Sequence, residues 1–518
     1  MKKTITTLMM VILVITSSFS QVVTFQKKFN SSGYCIHQTT DGGYIANGYG
    51  LTSNLSLQQF YGSLIKLNAH GDTVWTKKYI NDSIDFFGVY SEQTNDGGYI
   101  ITGTTDKNSL QQYHIYLIKT DTSGNTIWTT AFSNNIWSIA KEVHQTTDGG
   151  YVVIGYTKMN VSGQENVYLV KTNSTGTVLW GKTFGGLNLY EGYSVKQTAD
   201  GGYIIAGSAP ATAGVGGEAY LIKTDSSGIL QWTKTYACNS CETNAIFQTQ
   251  DGGYLATGTM DIPTGTGAKG NVLLFKTDNS GNVLWAKKYA DGKHNLGMFT
   301  TKTNDGGFVI TGISNGEIAF QPYTNALLIK TDSLGNYQWS KSYGDTASAM
   351  SNDEEGHYVY QTSDNGYIIS GRSTPALVAF TPIPNLYLIK TDANGNSGCK
   401  EYNLPMVDST TILTPSTPPT GNASGVTNYY IPITITNGND SIHTLCFNPT
   451  GIEEINNSTN IIIYPNPFTS QTAITFSEEQ KNTTIRIIDL LGKEIKTINF
   501  TGRQLVIDKG EMQEGIYF

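Results

Sequence analysis

Two kinds of side chain in this sequence stand at spacings that suggest chemistry: paired thiols and scattered carboxylates. Cys238-Asn-Ser-Cys241 is a CxxC, which either closes a local bridge or exchanges thiols. Thiol exchange calls for a thioredoxin-like βαβ setting, which the flanking residues lack, so a local bridge is the reading adopted. Cys399 and Cys446 flank a late segment and are candidates for a second bridge, leaving Cys35 odd. Structural zinc would need two more ligands than either pair offers, and no metal site is expected. Among the carboxylates, Glu191, Glu242, Asp353 and Glu354 are the candidates for a glycosidase pair, which needs two carboxyls about 5–9.5 Å apart. Glu191, Glu242 and Glu355 each precede a repeated aspartate by nine residues, a regularity that points to a structural hydrogen bond. No Ser/His/Asp triad, phosphate-cradling loop or dinucleotide fingerprint stands out. No residue is assigned as catalytic, and no cofactor is expected.

The elements that would position these groups are repeats. Gln-Thr-x-Asp-Gly-Gly-Tyr recurs with its aspartate at Asp41, Asp96, Asp148, Asp200, Asp251, Asp305 and Asp364, every 51 to 59 residues. The sixth copy departs with Lys302 and Phe308, and the seventh has Asn365 for the first glycine. Each copy is followed by a phrase such as Tyr116-Leu-Ile-Lys-Thr-Asp121, a turn, and an apolar run carrying Trp75, Trp128, Trp180, Trp232, Trp285 or Trp339. The unit around Asp200 divides into strands at 192–198, 203–207, 219–224 and 230–236. Asp-Gly-Gly and Asp225-Ser-Ser-Gly228 are hairpin turns, since glycine supplies the positive φ such turns require. The second is a turn and not a calcium loop, which needs acids at alternate positions.

Four antiparallel strands in a unit of about 50 residues make a propeller blade, where solenoid coils run to about 20–30. The expected fold is all-β, a seven-bladed β-propeller over 21–403. The last unit ends at Asn396-Ser-Gly-Cys399 where its tryptophan belongs, while Val23–Phe29 reads as an outer strand without a blade. Residues 22–29 should therefore complete the seventh blade and close the ring. The six repeated tryptophans are expected between neighbouring blades as core.

The short A–B and C–D turns should share one face, and the longer, variable B–C and D–A loops the other, where binding residues collect. Ligand-binding candidates there are Trp137, Tyr190, Glu191, Asp85, Phe86, His294 and Tyr113. Trp137 is the tryptophan outside the repeat pattern. The residue four before each aspartate reads His37, Glu92, His144, Lys196, Phe247, Thr301 and Tyr360, on an inner strand that would line the channel with solvated or mutually paired groups.

The N-terminus sets the compartment. Lys2 and Lys3, the apolar run 8–15 and small residues up to Ser20 read as a signal peptide over 1–20, too short for a good membrane span. No other stretch is apolar enough to span. A net charge of -8 without basic runs argues against nucleic acid.

Two resemblances follow. Tyr220-Leu-Ile-Lys-Thr-Asp-Ser-Ser-Gly with Trp232 resembles the C–D hairpin of quinoprotein-like and kelch-like repeats, which implies architecture and no cofactor. Residues 404–451 shift toward Thr, Pro, Ser and Asn and read as a linker, with a strand or two expected in 429–436. Beyond it, Ile463-Tyr-Pro-Asn-Pro-Phe468, Ile485-Arg-Ile-Ile-Asp-Leu-Leu-Gly-Lys493 and Gly515-Ile-Tyr-Phe518 look like the C-terminal sorting domain of the type IX secretion system of Bacteroidetes. That resemblance implies a small β-sandwich at 452–518, handling by the secretion machinery, and a product released or anchored at the outer cell surface. The family continues past this point, so the domain reads as truncated at Phe518.

Three functions remain. The chain is a secreted or surface binding module for polysaccharide or protein, a structural or adhesive protein without a small ligand, or a propeller glycosidase or lyase. The first is preferred, because aromatic loops give sugars stacking platforms and no active-site motif is evident.

Overall fold

The computed structural model describes residues 22–508 apart from 53–58, 82, 107–112, 135–136, 159–163, 212–215, 239, 263–268, 319–320, 345–352, 375–383, 419–420, 426, 430–432, 439–441, 449–460, 465–470 and 489–493. The signal peptide expected at 1–20 and the Gly515–Phe518 block lie outside the described residues. The chain divides into two compact units, 1–450 and 451–518. All regular structure among the described residues is strand.

The first unit is the seven-bladed propeller. In blade 3 the strands, from the channel outward, are Trp137–Gln145 (A), Tyr151–Lys158 (B), Glu165–Thr172 (C) and Val178–Gly185 (D). Blade 4 follows the same plan at Glu191–Gln197, Tyr203–Pro210, Gly217–Thr224 and Leu230–Ala237, a few residues longer at the B and C ends than the sequence suggested. Blade 7 takes Asp353–Gln361, Tyr367–Thr374 and Asn385–Thr391 from the end of the repeats. Its fourth strand is Thr24–Phe29, paired antiparallel with Asn385–Thr391, so the ring closes as expected. A buried ion pair from Lys28 to Glu354, 2.9 Å, fixes that strand and gives Glu354 a structural role.

On the constant face every blade repeats one arrangement. The carboxylate of Asp200 accepts from the Thr198 hydroxyl, the Gly202 amide (3.0 Å) and the Lys223 ammonium (2.9 Å). The lysine comes from the Leu-Ile-Lys-Thr phrase, so the two sequence motifs of each unit are joined by an ion pair. Burial opposes charge on Asp200, but the hydroxyl, the lysine and the amide outweigh it and hold the carboxyl down to about 2. The second glycine cannot be replaced cheaply, because a Cβ on Gly202 would stand 2.2 Å from the Thr224 carbonyl. Asn365 tolerates the turn of the seventh copy with a φ of 64°, asparagine being comparatively at ease there.

Neighbouring blades meet through the tryptophans. Trp180 lies edge-on to Tyr203 of the next blade at 5.9 Å and covers Gly228 in its C–D turn. Each of the six repeated tryptophans meets an aromatic ring of the next blade, a tyrosine or for Trp285 Phe308, while remaining partly exposed, so they seal seams at the rim and are not fully buried core. Phe25 fills the seventh place, against Tyr44 at 6.3 Å. The core proper is aliphatic and tyrosine-rich, in clusters between successive blades.

Residues 401–448, expected largely as linker, are instead part of the propeller. Seven short strands, Glu401–Asn403, Val407–Thr410, Thr414–Ser416, Gly421–Ser424, Thr427–Tyr429, Thr434–Asn437 and Ile442–Asn448, pair antiparallel with the outer strands of blades 6, 5, 4, 3, 2, 1 and 7 in that order. Each blade is thereby a five-stranded sheet, and its outer edge of unpaired amides and carbonyls is covered. The belt is anchored where apolar side chains dip between blades, as Met406 and Leu413 do at 5% exposure each. Its two ends meet at blade 7, where Cys399 and Cys446 are bonded with their Cα atoms 6.0 Å apart. Cys238 and Cys241 form the local bridge, and Cys35 is free and buried.

In the second unit the described residues form one antiparallel sheet of Ile461–Tyr464, Gln471–Ile488 and Glu494–Asp508, with Phe476 stacked on Phe500 at 5.7 Å.

Candidate binding site at the channel mouth

The inner strand of every blade carries a β-bulge at the same place. In blade 3 Ala140 faces Gly155 and Glu142 faces Ile154, leaving Lys141 unpaired between them. The bulged residues are Tyr34, Val89, Lys141, Tyr193, Asn244, Met298 and His357, each seven before its repeated aspartate. An unbroken strand sends residues an odd number apart to opposite faces. The extra residue shifts that alternation, so positions seven and four before the aspartate both line the channel. Glycine opposite the bulge permits it: a Cβ on Gly155 would lie 1.8 Å from the Ile139 carbonyl oxygen, and the equivalent glycines of the other blades are as tight.

The bulged residues surround a cavity of about 330 Å³ at the mouth on the variable face. Three of them are held by the carboxylate two residues earlier: Tyr193 by Glu191, Asn244 by Glu242 at 3.1 Å, and His357 by Glu355 at 2.8 Å. This is the structural bond that the nine-residue spacing suggested. Blade 3 has Ile139 in that position, so Lys141 lacks a carboxylate of its own. Its ammonium lies between the rings of Tyr156 and Tyr193, 5.5 and 5.4 Å from their centroids. Burial lowers its pKa, and Glu191, Glu242 and Glu165 only partly offset this. Burial likewise raises Glu242 and Glu165; Glu165 is raised further by a hydrogen bond shared with Glu191.

Aromatic rings cluster beside this cavity, joined to it where Lys141 meets Tyr156. Trp137 meets Tyr113 edge-on and Tyr156 at a tilt, both at 5.6 Å, and carries the Lys158 ammonium 4.2 Å from its ring. Around blades 7, 1 and 2, His357, Tyr34, Tyr49, Phe60 and Phe87 form a second chain of ring contacts between 4.8 and 6.4 Å. Leu187 and Leu189, 80% and 55% exposed, precede the inner strand of blade 4.

Of the seven ligand candidates, the structure brings Trp137, Tyr113 and Glu191 together. Asp85 accepts the Phe60 amide at 2.8 Å and His294 the Gly270 amide at 2.8 Å, so both hold the backbone. Phe86 is fully buried against Tyr116, and Tyr190 is 4% exposed against Tyr220; these two pack between blades and do not face a ligand. Asp353 accepts the Thr324 amide at 3.1 Å. Most of the set, assigned to loops from sequence, stand at or beside strand ends instead. Lys141, Tyr193 and Asn244 were missed; the signal was an invariant glycine seven after each aspartate, since a lone glycine inside a strand marks a bulge.

Farther down the channel the residues four before the aspartate line a separate cavity of about 220 Å³, and its charges are mutually paired. His144 binds Glu92 at 2.7 Å and Glu142 at 3.2 Å, and Lys196 joins Glu142 at 3.3 Å. Burial would raise Glu142, but Lys196, His144 and the Val195 amide hold it to about 2. Burial lowers His37 to about 4, so it is neutral beside Tyr90 at 2.9 Å.

No curated protein matches the chain. No helix among the described residues is long and apolar enough to cross a membrane. Residues 462–518 match the family described as a secretion system C-terminal sorting domain, so the chain is a β-propeller with a sorting tail that indicates export, handling by the type IX machinery, and a surface or secreted location.

Proposed function

We propose that this is a secreted or cell-surface binding protein whose propeller takes a polysaccharide at the channel mouth on its variable face. The observation that carries the reading is the convergence there of Trp137, Tyr113, Tyr156 and Tyr193 with polar groups from different blades. Sugars stack their apolar faces on such rings, while amide, ammonium and carboxyl groups take the hydroxyls. The reading divides the chain into a signal peptide at 1–20, a belted propeller ending near 450, and a tail that is left behind on export. A glycosidase gains little support from the acidic cluster. Glu191 and Glu242 are instead engaged by the Tyr193 hydroxyl and the Asn244 amide, as structural carboxylates are.

The test is glycan-array binding by the full chain beside Trp137→Ala. Selective binding that drops at least tenfold in the variant is expected. An array silent for both proteins would move the function to protein partners or adhesion. The full chain is required, because a propeller cut at 403 would lose six of its seven belt strands.

A further inference from the structure

The channel is not a pore. At its waist Tyr358 of blade 7 meets Tyr90 of blade 2 at 5.4 Å and Phe299 of blade 6 at 4.8 Å. Tyr358 packs against the cluster that holds Cys35, Tyr90 and Val143 on one side, and against the cluster of Ala245 and Phe299 on the other. These clusters belong to opposite parts of the ring, so the tyrosine spans the axis. The mouth cavity and the lower cavity both touch Phe299, which stands between them at 4% exposure. Below the waist, Glu142 and Lys196 are committed to each other and to His144.

A blind cavity of about 330 Å³ is at the small end of the range for ligand pockets, about 300–1,000 Å³. It accommodates a sugar ring or a disaccharide, not a strand that enters and leaves. Of the polar groups lining it, Lys141 has no carboxylate of its own, while Tyr193 and Asn244 on the next two blades already donate to Glu191 and Glu242 and offer a sugar hydroxyl their oxygen lone pairs. The stacking ring Trp137 heads the inner strand four residues before Lys141, toward the rim. Resting on the polysaccharide reading above, the geometry points to recognition of a chain end: the terminal sugar enters the blind cavity against Lys141 and Asn244, and the following sugars lie on Trp137 and Tyr113. A polymer is then bound by its terminus and not along its length.

The experiment titrates the full chain with laminarin, xylan, pectin and alginate, each prepared as a short and a tenfold longer size fraction at equal total sugar. For any glycan that binds, the number of protein molecules bound per chain should be the same at both lengths, so binding capacity per mass falls about tenfold in the long fraction. Lys141→Gln should weaken both fractions tenfold or more while the thermal midpoint stays within a few degrees. Capacity per mass that is equal for the two lengths means binding along the chain and overturns the inference while leaving the polysaccharide reading intact. Unchanged affinity in Lys141→Gln would also overturn it. Silence with all four glycans and on the array would overturn the polysaccharide reading, and this inference with it.

Discussion

The two ends of each inner strand follow opposite rules. At the constant face every blade repeats the same threonine, aspartate and lysine, joined by the same bonds. At the mouth, a few residues away on the same strand, the bulged position holds six residue types in seven blades. The bulge itself is invariant, because glycine opposite it is invariant, so the scaffold fixes where the side chain points while leaving its identity free. Uniformity marks what holds the ring together; variation on a fixed geometry marks the positions that the proposed ligand would meet.

That contrast can be broken from the scaffold side first. Cys446→Ser should have the largest effect on stability, because it opens a belt whose clasped residues are 47 apart in sequence. Loop-closure entropy puts the loss at about 4 kcal/mol, measurable by denaturant unfolding under oxidising conditions. Gly155→Ala should cost about 3 kcal/mol, since its Cβ would meet the Ile139 carbonyl at 1.8 Å and force the bulge to flatten. The same variant should lose ligand at the mouth, which separates it from the belt variant.

A single constant-face pair is worth less. Lys223→Met should cost about 1 kcal/mol, because Asp200 is 54% exposed and water screens the pair. Acid tests all the pairs together. Their folded carboxyls titrate at about 2 or are otherwise held low, against about 3.9 in an unfolded chain. Their stabilisation is complete above the unfolded value and is lost as pH falls from about 4 through 2. Unfolding followed by circular dichroism should therefore show stability declining across that window, with less decline in a variant lacking several of the lysines. Trp137→Ala should have the smallest effect on stability, within about 1 kcal/mol, for a half-buried ring at a strand end.

Much of this was legible in the sequence. Repeated turn phrases fixed the blade count, and the missing tryptophan of the last unit correctly sent 22–29 to blade 7. The belt was not legible, because its strands are three to seven residues long and lie at the rim with little of the alternation that a one-sided buried strand imposes. Thr414–Ser416 is exposed at every position, and only residues such as Met406 and Leu413 betray contact with the blades. Trp137 stood out as a candidate because it broke the repeat pattern. Phe86 and Tyr190 were misread because their position beside variable loops hid that their side chains turn back between blades. Lys141 and Asn244 were passed over because the bulge inverts the two-residue alternation from which facing is judged.

The most direct measurement is hydroxyl-radical footprinting of the full chain with and without the glycan that the array selects. Protection confined to Trp137, Tyr113, Tyr156 and Tyr193, with Val74 and Leu179 at the C–D turns of the constant face unchanged, is the result this account requires. Protection at the constant-face residues, or at neither set while the glycan is demonstrably bound, would contradict it.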